Sequence, residues 1–197
     1  MSDAETVGVY NARAGDYAKM TDRSGRIDPD LLIFMERLPE GGHVLDLGCG
    51  PGTASAVMAT RGFVVTATDA SAEMVALAAR HAGVEARLAT FEEIEGRDLY
   101  DGVWANFSLL HAPRDQMPGY LARLVTALKP GGKFHIGMKL GTGAQRDGIG
   151  RFYTYYSDEE LSQLLKAAGL TIEDRSFGQD KGLDGTMAEW ICVRARG

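Results

Sequence analysis

The sequence predicts an α/β domain in which helices cover a mostly parallel sheet. Three observations favour this class: short apolar runs alternate with stretches of helical periodicity, one apolar run ends in a glycine-rich turn, and an acidic residue closes the next run. Ligands of parallel sheets bind at the carboxyl ends of the strands. The glycine turn therefore indicates where a site is expected.

Length and composition fit a single domain over residues 1–197. The chain is 45% hydrophobic and 24% charged, with a formal net charge of −6, which argues against a nucleic-acid partner. No apolar run is long enough to cross a bilayer, and the N-terminus lacks a signal-peptide pattern. Two distant cysteines suggest neither a disulfide framework nor a metal cluster. We expect a cytoplasmic protein without metal or membrane partner.

The central motif is DLGCGPG over residues 46–52, at the end of a predicted strand over residues 43–47. Gly48 and Gly50 permit left-handed backbone angles and close approach of a ligand. Pro51 suits the first position of a helix. At such a helix N-terminus, free amides are expected to hold an anionic group. The alternative is a tight turn without a ligand.

This motif resembles the first motif of the Rossmann-like, class I S-adenosylmethionine (SAM)-dependent methyltransferases, in which an acidic residue precedes Leu-Gly-x-Gly-x-Gly. It differs from the dinucleotide fingerprint, which requires glycine or alanine where Thr53 stands. LKPGG over residues 128–132, before a predicted strand, is also frequent in that family. The resemblance runs from about Tyr10 to Val193. It implies a doubly wound, mostly parallel seven-stranded sheet with a C-terminal antiparallel strand.

Residues 1–40 are expected to form N-terminal helices. A weakly amphipathic helix over residues 9–20 carries Tyr10 and Tyr17. The resemblance implies that this helix lies over the cofactor, and packing of both tyrosines on the domain surface is the alternative. Asp28 and Pro29 are typical of a helix start, and a core-facing apolar stripe follows them.

A second predicted strand, over residues 63–68, ends at Asp69. Its distance from the glycine turn places this carboxylate where ribose hydroxyls bind. Capping of the next helix is the alternative. The resemblance places Met74 on the adenine, although a core methionine fits equally well. Ala89 stands where the family often has an acidic residue, so Thr90 and Phe91 are expected to hold the base edge.

A third strand is predicted over residues 84–88 and a fourth over residues 100–106. By the resemblance, residues 106–108 flank the methionine moiety and His111 faces the acceptor. A histidine there suits a general base, because its ordinary pKa lies near neutrality; a structural histidine is the alternative. The residues that the resemblance implies for cofactor binding are Tyr17, Asp46, Gly48, Cys49, Gly50, Asp69, Ala70, Met74, Thr90, Phe91, Asn106, Phe107 and Ser108.

A helix over residues 117–128 and a strand over residues 133–138 lead into an irregular, glycine-rich stretch over residues 139–156. We interpret that stretch as a substrate lid. With Tyr10 and His111, its residues Arg146, Arg151 and Tyr153 are candidate substrate contacts, and the arginines suggest an anionic group on the acceptor. A solvated loop with its arginines paired to nearby acids is the alternative. A capping box opens a helix at residue 157, and two strands close the chain.

The expected activity is methyl transfer from SAM to a small-molecule acceptor, with S-adenosylhomocysteine as the product. Two alternatives are a SAM-binding sensor or partner protein without catalysis, and a nicotinamide-dependent oxidoreductase. The sequence does not indicate the acceptor, the atom methylated (N, O, S or C), the need for a base or the oligomeric state.

Overall fold

A computed structural model describes residues 3–22 and 25–197. Its helices are α1 (Ala4–Ala12), α2 (Ala14–Thr21), α3 (Pro29–Glu36), α4 (Thr53–Thr60), α5 (Ala72–Ala78), α6 (Met117–Ala127) and α7 (Asp158–Ala167). Its strands are β1 (His43–Leu47), β2 (Val64–Asp69), β3 (Val84–Leu88), β4 (Tyr100–Asn106), β5 (Leu128–Lys139), β6 (Ala144–Arg146), β7 (Phe152–Thr154), β8 (Thr171–Lys181) and β9 (Met187–Arg196). No helix among these residues has the length and apolar character of a membrane span.

Seven strands form the central sheet in the order β3-β2-β1-β4-β5-β9-β8. The first five of these are mutually parallel, whereas β9 runs antiparallel to both β5 and β8. The predicted seven-stranded, mostly parallel sheet with a C-terminal antiparallel strand is confirmed. The carboxyl ends of β1, β2, β4 and β5 therefore meet at one edge.

Helices cover both faces of the sheet. On one face, Leu121 of α6 and Leu161 of α7 belong to the same buried cluster as Val103 of β4. On the other face, Phe34 of α3 packs against Trp104, with ring centroids 5.2 Å apart. Because the central strands are buried on both faces, they appear in the sequence as continuous apolar runs rather than alternating ones.

The predicted start signals of two helices are confirmed. The Asp28 side chain accepts a hydrogen bond from the Asp30 backbone N–H at 2.9 Å, and Pro29 is the first residue of α3. Ser157 and Glu160 form the capping box of α7, with reciprocal side-chain to backbone bonds of 3.1 and 2.9 Å. Both signals are local, so neither depends on the rest of the fold.

The single helix predicted over residues 9–20 is wrong, because two helices, α1 and α2, meet at Arg13. This residue leaves the helical conformation, with φ −118° and ψ 20°. The bend brings Tyr10 of α1 and Tyr17 of α2 edge to face, with ring centroids 5.4 Å apart. A break of one residue leaves no trace in the helical periodicity.

The irregular stretch predicted over residues 139–156 is also wrong in part, since it contains the antiparallel pair β6–β7. The Asp147 side chain fixes the turn between them by accepting backbone N–H bonds from Ile149 and Arg151, at 3.1 and 2.9 Å. Each strand has three residues. That length is too short for an alternating pattern to be read.

Candidate functional site

A cavity lies at the carboxyl edge of the sheet, under helices α1 and α2. The predicted site residues that line it are Tyr10, Tyr17, Gly48, Gly50, Asp69, Ala70, Met74, Phe91, Asn106, Phe107, Ser108 and His111. Segments 90 residues or more apart in sequence thus meet in one cavity.

The glycine turn provides space rather than free hydrogen-bond donors. The backbone N–H groups of Gly48 and Cys49 both donate to the carbonyl of Thr68, at 2.8 and 2.9 Å. The Gly50 N–H donates to the Asp69 carboxylate at 2.9 Å. The expectation of free amides holding an anion is therefore wrong for these three groups, because the end of β2 already accepts their hydrogen bonds.

The backbone conformation and the lack of space at position 48 require a glycine there. Its φ is +68°, and a Cβ there would lie 2.3 Å from the Cβ of Ser108. Helix α4 begins at Thr53 with Gly52 as its N-cap at φ +83°. Pro51 is therefore not the first helical residue, and it belongs to the turn.

Asp69 closes β2 and lies at the wall of the cavity. One of its carboxylate oxygens accepts from the Gly50 N–H, and the other accepts from the Ser71 N–H at 2.8 Å. Burial raises the pKa of this carboxyl, and the hydrogen bonds from the backbone oppose that rise. Each oxygen keeps a second lone pair. The carboxylate is consequently an acceptor for a pair of neighbouring hydroxyls.

Two buried hydroxyls in the cavity wall have no hydrogen-bond partner among the described residues. They are the Oγ1 atom of Thr68 and the Oγ atom of Ser108. Buried polar groups are normally paired, so these oxygens indicate a polar ligand. Met74 and Phe91 add apolar surface to the same cavity. The cavity is thus suited to a ligand with both polar and flat apolar parts.

Three predicted cofactor residues do not line this cavity. The buried Asp46 carboxylate accepts from the Ser55 hydroxyl at 2.5 Å, and burial raises its pKa to about 7. The Cys49 side chain is buried among Ala67 and Ala78. Thr90 caps a short 3-10 turn through Glu93. The structure therefore gives no support for direct contact between these three side chains and a ligand in the cavity.

A second cavity adjoins the first one. Tyr10, Tyr17 and Phe107 line both, so they form the boundary between the two spaces. The other residues that line the second cavity are Met20, Thr21, Leu110, Lys139, Arg151, Tyr153, Asp180, Lys181, Gly182, Leu183, Ala188 and Trp190. Phe107 has a φ of +55°, a conformation that costs a side chain energy and is concentrated at functional sites.

His111 is held from both sides. Its Nδ1 lies 2.6 Å from the carbonyl oxygen of Phe152 and its Nε2 lies 2.9 Å from the Tyr10 hydroxyl. A carbonyl only accepts, so the proton is on Nδ1 and Nε2 accepts from Tyr10. Burial lowers the pKa of His111 to about 4. The ring is therefore neutral at pH 7, with both nitrogens engaged.

The two candidate arginines are paired with carboxylates. Arg146 donates to both Asp3 oxygens at 2.9 and 2.8 Å and lines neither of the two cavities. Arg151 pairs with Asp147, Nε to Oδ2, at 2.9 Å, and its Nη1 donates to the Tyr10 hydroxyl at 3.1 Å. Tyr153 and Arg151 do line the second cavity. Arg146 instead joins the β6–β7 turn to the start of α1.

Sequence reasoning missed several lining residues. Thr68 has a signal, because it is the last strand residue before Asp69. Lys139 of the second cavity ends β5, whereas the sequence predicts that the irregular stretch begins there, and Trp190 lies in a predicted closing strand. Nothing in their spacing marks either residue. Asp3 reaches the first cavity as the N-cap of α1. These residues meet at the two cavities because the order of the strands brings distant segments of the chain together.

Known proteins resemble this chain in both sequence and fold. A family model described as a methyltransferase domain matches residues 44–132. A ubiquinone biosynthesis O-methyltransferase of Xanthomonas axonopodis pv. citri is 31% identical over 160 residues, which cover 70% of this chain and 66% of that protein. The chain belongs to the class I SAM-dependent methyltransferases. The predicted family is confirmed, and with it SAM as the cofactor.

Two further relatives of this chain are informative. A trans-aconitate 2-methyltransferase of Delftia acidovorans is 35% identical over 129 residues, which cover 62% of this chain and 47% of that protein. The crystal structure of a Burkholderia thailandensis 1,6-didemethyltoxoflavin-N1-methyltransferase, with bound 1,6-didemethyltoxoflavin and S-adenosylhomocysteine, superposes with a TM-score of 0.80 at 27% identity. That alignment covers 98% of this chain and 87% of the other. The chain spans about half to two thirds of the curated relatives' length.

Proposed function

We propose that this protein transfers a methyl group from SAM, held in the first cavity, to a small molecule held in the second. The observation that carries the proposal is the shared boundary of the two cavities at Tyr10, Tyr17 and Phe107. A methyl donor and its acceptor must meet at one point while both are shielded from water. Two adjoining cavities provide that arrangement.

The residues of the first cavity fit the cofactor. Asp69 offers two carboxylate oxygens to the ribose hydroxyls, and the unpaired oxygens of Thr68 and Ser108 offer partners to its polar groups. Met74 and Phe91 supply apolar surface for the adenine. The sequence also leaves a capping role open for Asp69, but the N-cap of α5 is Ser71, whose hydroxyl accepts from the Met74 N–H at 3.2 Å. Asp69 accepts from the Ser71 N–H, and ribose binding is the role that we propose for it.

The bound cofactor supplies a methyl group on a sulfonium sulfur, which a nucleophile attacks from the side opposite the sulfur. With SAM bound, the acceptor's lone pair would form the new bond to the methyl carbon, and the electrons of the carbon–sulfur bond would stay on sulfur. Phe107 and the two tyrosines would hold the two reactants at the boundary between the cavities. His111 positions the Tyr10 hydroxyl at that boundary instead of removing a proton from the acceptor.

A small-molecule acceptor is supported by the size of the second cavity and by the relatives, one named for trans-aconitate and one crystallised with 1,6-didemethyltoxoflavin. The net charge of −6 does not favour a nucleic-acid acceptor. A cytoplasmic location is part of this proposal and is supported by two free, buried cysteines.

The first test is calorimetric titration of the purified protein with SAM and with S-adenosylhomocysteine, with NADH as the control ligand. We expect micromolar binding of both adenosyl compounds and none of NADH. Absence of adenosyl binding would contradict the proposal. A panel of small acceptors, followed by mass spectrometry for methylated products, then separates an enzyme from a SAM-binding sensor: a sensor binds SAM and methylates none of them.

A further inference from the structure

Lys139, at the carboxyl end of β5, is a cation in the second cavity that has no anionic partner in the part of the chain that the structure describes. Its Nζ atom lies 3.9 Å from the centroid of the Tyr153 ring. Among the described residues it forms neither an ion pair nor a hydrogen bond, whereas Arg151 in the same cavity is paired with Asp147. A half-buried ammonium that contacts only an aromatic face retains its capacity to bind an anion.

Lys139 lies among both acidic and basic side chains. Burial lowers its pKa first, and Arg151 lowers it further, while Asp184 and Asp147 oppose both effects from a distance. Asp180, in the same cavity, accepts from the Trp190 indole N–H at 3.0 Å. Lys139 also lines a neighbouring cavity with Arg146, Asp147, Asp184 and Glu189, and Lys181 lies exposed in the second cavity. Among the described residues none of these carboxylates forms an ion pair with Lys139, so its ammonium can bind an anion in the second cavity.

Five aromatic side chains are among the residues that line the second cavity. Tyr10, Tyr17, Phe107, Tyr153 and Trp190 all line it. Aromatic side chains favour flat, conjugated ligands through stacked and edge-to-face contacts. The shape and the charge of the site thus point to one chemical class of ligand.

We infer that the second cavity binds a planar aromatic or heteroaromatic acceptor as its anion, with the Lys139 ammonium stabilising the ionised oxygen or nitrogen. This inference rests on the proposed methyl transfer and specifies its acceptor. An acidic O–H or N–H releases its proton to water when the acceptor binds. The resulting lone pair attacks the methyl carbon, so no side chain has to take up a proton.

This assignment explains why His111 does not need to act as a base. Its lone pair already accepts the Tyr10 hydrogen bond. The negative charge of the acceptor is neutralised on methylation, which weakens its attraction to Lys139. The methylated product should therefore bind less tightly than the ionised acceptor.

The test uses two pairs of probes with the full protein saturated with S-adenosylhomocysteine: 4-nitrophenol with 4-nitroanisole, and lumazine with 1,3-dimethyllumazine. Ionisation of each acid changes its absorption spectrum. We expect at least one acid to bind about tenfold more tightly than its methylated counterpart, with a bound pKa lowered by about 1 unit. Lys139→Met should abolish both effects, and Lys139→Arg should retain them.

Lys181→Met is the matched control, because Lys181 lines the same cavity but is exposed. It should leave the preference for the anion intact. The inference is overturned if both acids bind no better than their methylated counterparts, or if Lys139→Met keeps the pKa shift. Binding of S-adenosylhomocysteine is measured in the same samples, so loss of the cofactor site, which would contradict the proposed function itself, is recognised separately.

Discussion

Asp69 is the side chain on which cofactor affinity should depend most. It is partly buried, and it accepts from the Gly50 and Ser71 N–H groups while it lines the first cavity. Asp69→Asn keeps the size of the side chain and removes its charge. We expect S-adenosylhomocysteine to bind about tenfold to a hundredfold more weakly, the effect of losing charged hydrogen bonds of roughly 1.5–3 kcal/mol.

Calorimetric titration measures that change. Glu36→Gln is the control, because Glu36 is an exposed carboxylate at the end of α3. Unchanged affinity in the Asp69 variant, with a normal circular dichroism spectrum, would remove Asp69 from the site.

The protonation state of His111 can also be predicted. Its pKa of about 4 lies below the ordinary value, so the ring should be neutral at pH 5.5 with its proton on Nδ1. The unfolded chain binds this proton near pH 6.5. The contribution of His111 to the free energy of unfolding should therefore fall as the pH drops from about 6.5 to about 4.

Nuclear magnetic resonance of the imidazole nitrogens tests this directly, with His111→Gln to assign the signals. A titration midpoint near pH 6.5 would contradict the hydrogen-bonded arrangement and would restore His111 as a general base.

At the scale of elements, the turn from β1 to α4 depends on Gly48. Gly48→Ala introduces both an unfavourable backbone conformation and a contact of 2.3 Å with Ser108. Gly62→Ala is the matched control, since Gly62 has φ +88° and no atom within 4 Å of its added Cβ. We expect the Gly62 variant to lose about 1 kcal/mol of unfolding free energy, and the Gly48 variant to lose more.

Chemical denaturation gives the unfolding free energies, and calorimetry gives cofactor affinity. Only the Gly48 variant should lose cofactor binding. Equal effects on stability in both variants would show that Ser108 moves away at little cost.

Helix α1 and the β6–β7 pair form a second functional element, joined by the Asp3–Arg146 ion pair. Since Asp3, Thr6 and Tyr10 line the first cavity, this contact holds α1 over the cavity in which we propose that the cofactor binds. We expect Arg146→Ala to release S-adenosylhomocysteine several-fold faster, as measured by stopped-flow displacement. The effect on stability should be less than about 1 kcal/mol, because the pair is partly exposed.

Arg87→Ala is the control for this prediction, because Arg87 forms an exposed ion pair with Glu85 on β3. If release is unchanged in Arg146→Ala while the KM for the acceptor rises, then Arg146 contacts the acceptor, as the sequence alone suggests.

For the whole molecule, cofactor binding should be visible as increased thermal stability. A ligand that binds only the folded state, at one hundred times its Kd, stabilises that state by about 2.7 kcal/mol. For a domain of this size the Tm should rise by about 5–11 °C with S-adenosylhomocysteine. NADH should leave the Tm unchanged. A comparable rise with NADH would contradict the cofactor assignment.

The sequence by itself determined the elements that depend on local chemistry. Buried strands β1 and β2 appear as continuous apolar runs, the capping box at Ser157 starts α7, and the position of Asp69 follows from the strand that it ends. These features could be predicted because periodicity, capping and turn chemistry act over a few residues. The family resemblance added the mostly parallel seven-stranded sheet with its C-terminal antiparallel strand, and the identity of the cofactor.

Only the tertiary structure decided how these elements meet. Arg146 and Arg151 are engaged by Asp3 and Asp147, and Tyr10 is joined to His111 across 101 positions of the chain. Lys139 is left without an anionic partner among the described residues. Whether a charged side chain is paired or available depends on which distant segment packs against it, and no local pattern in a single sequence records that contact.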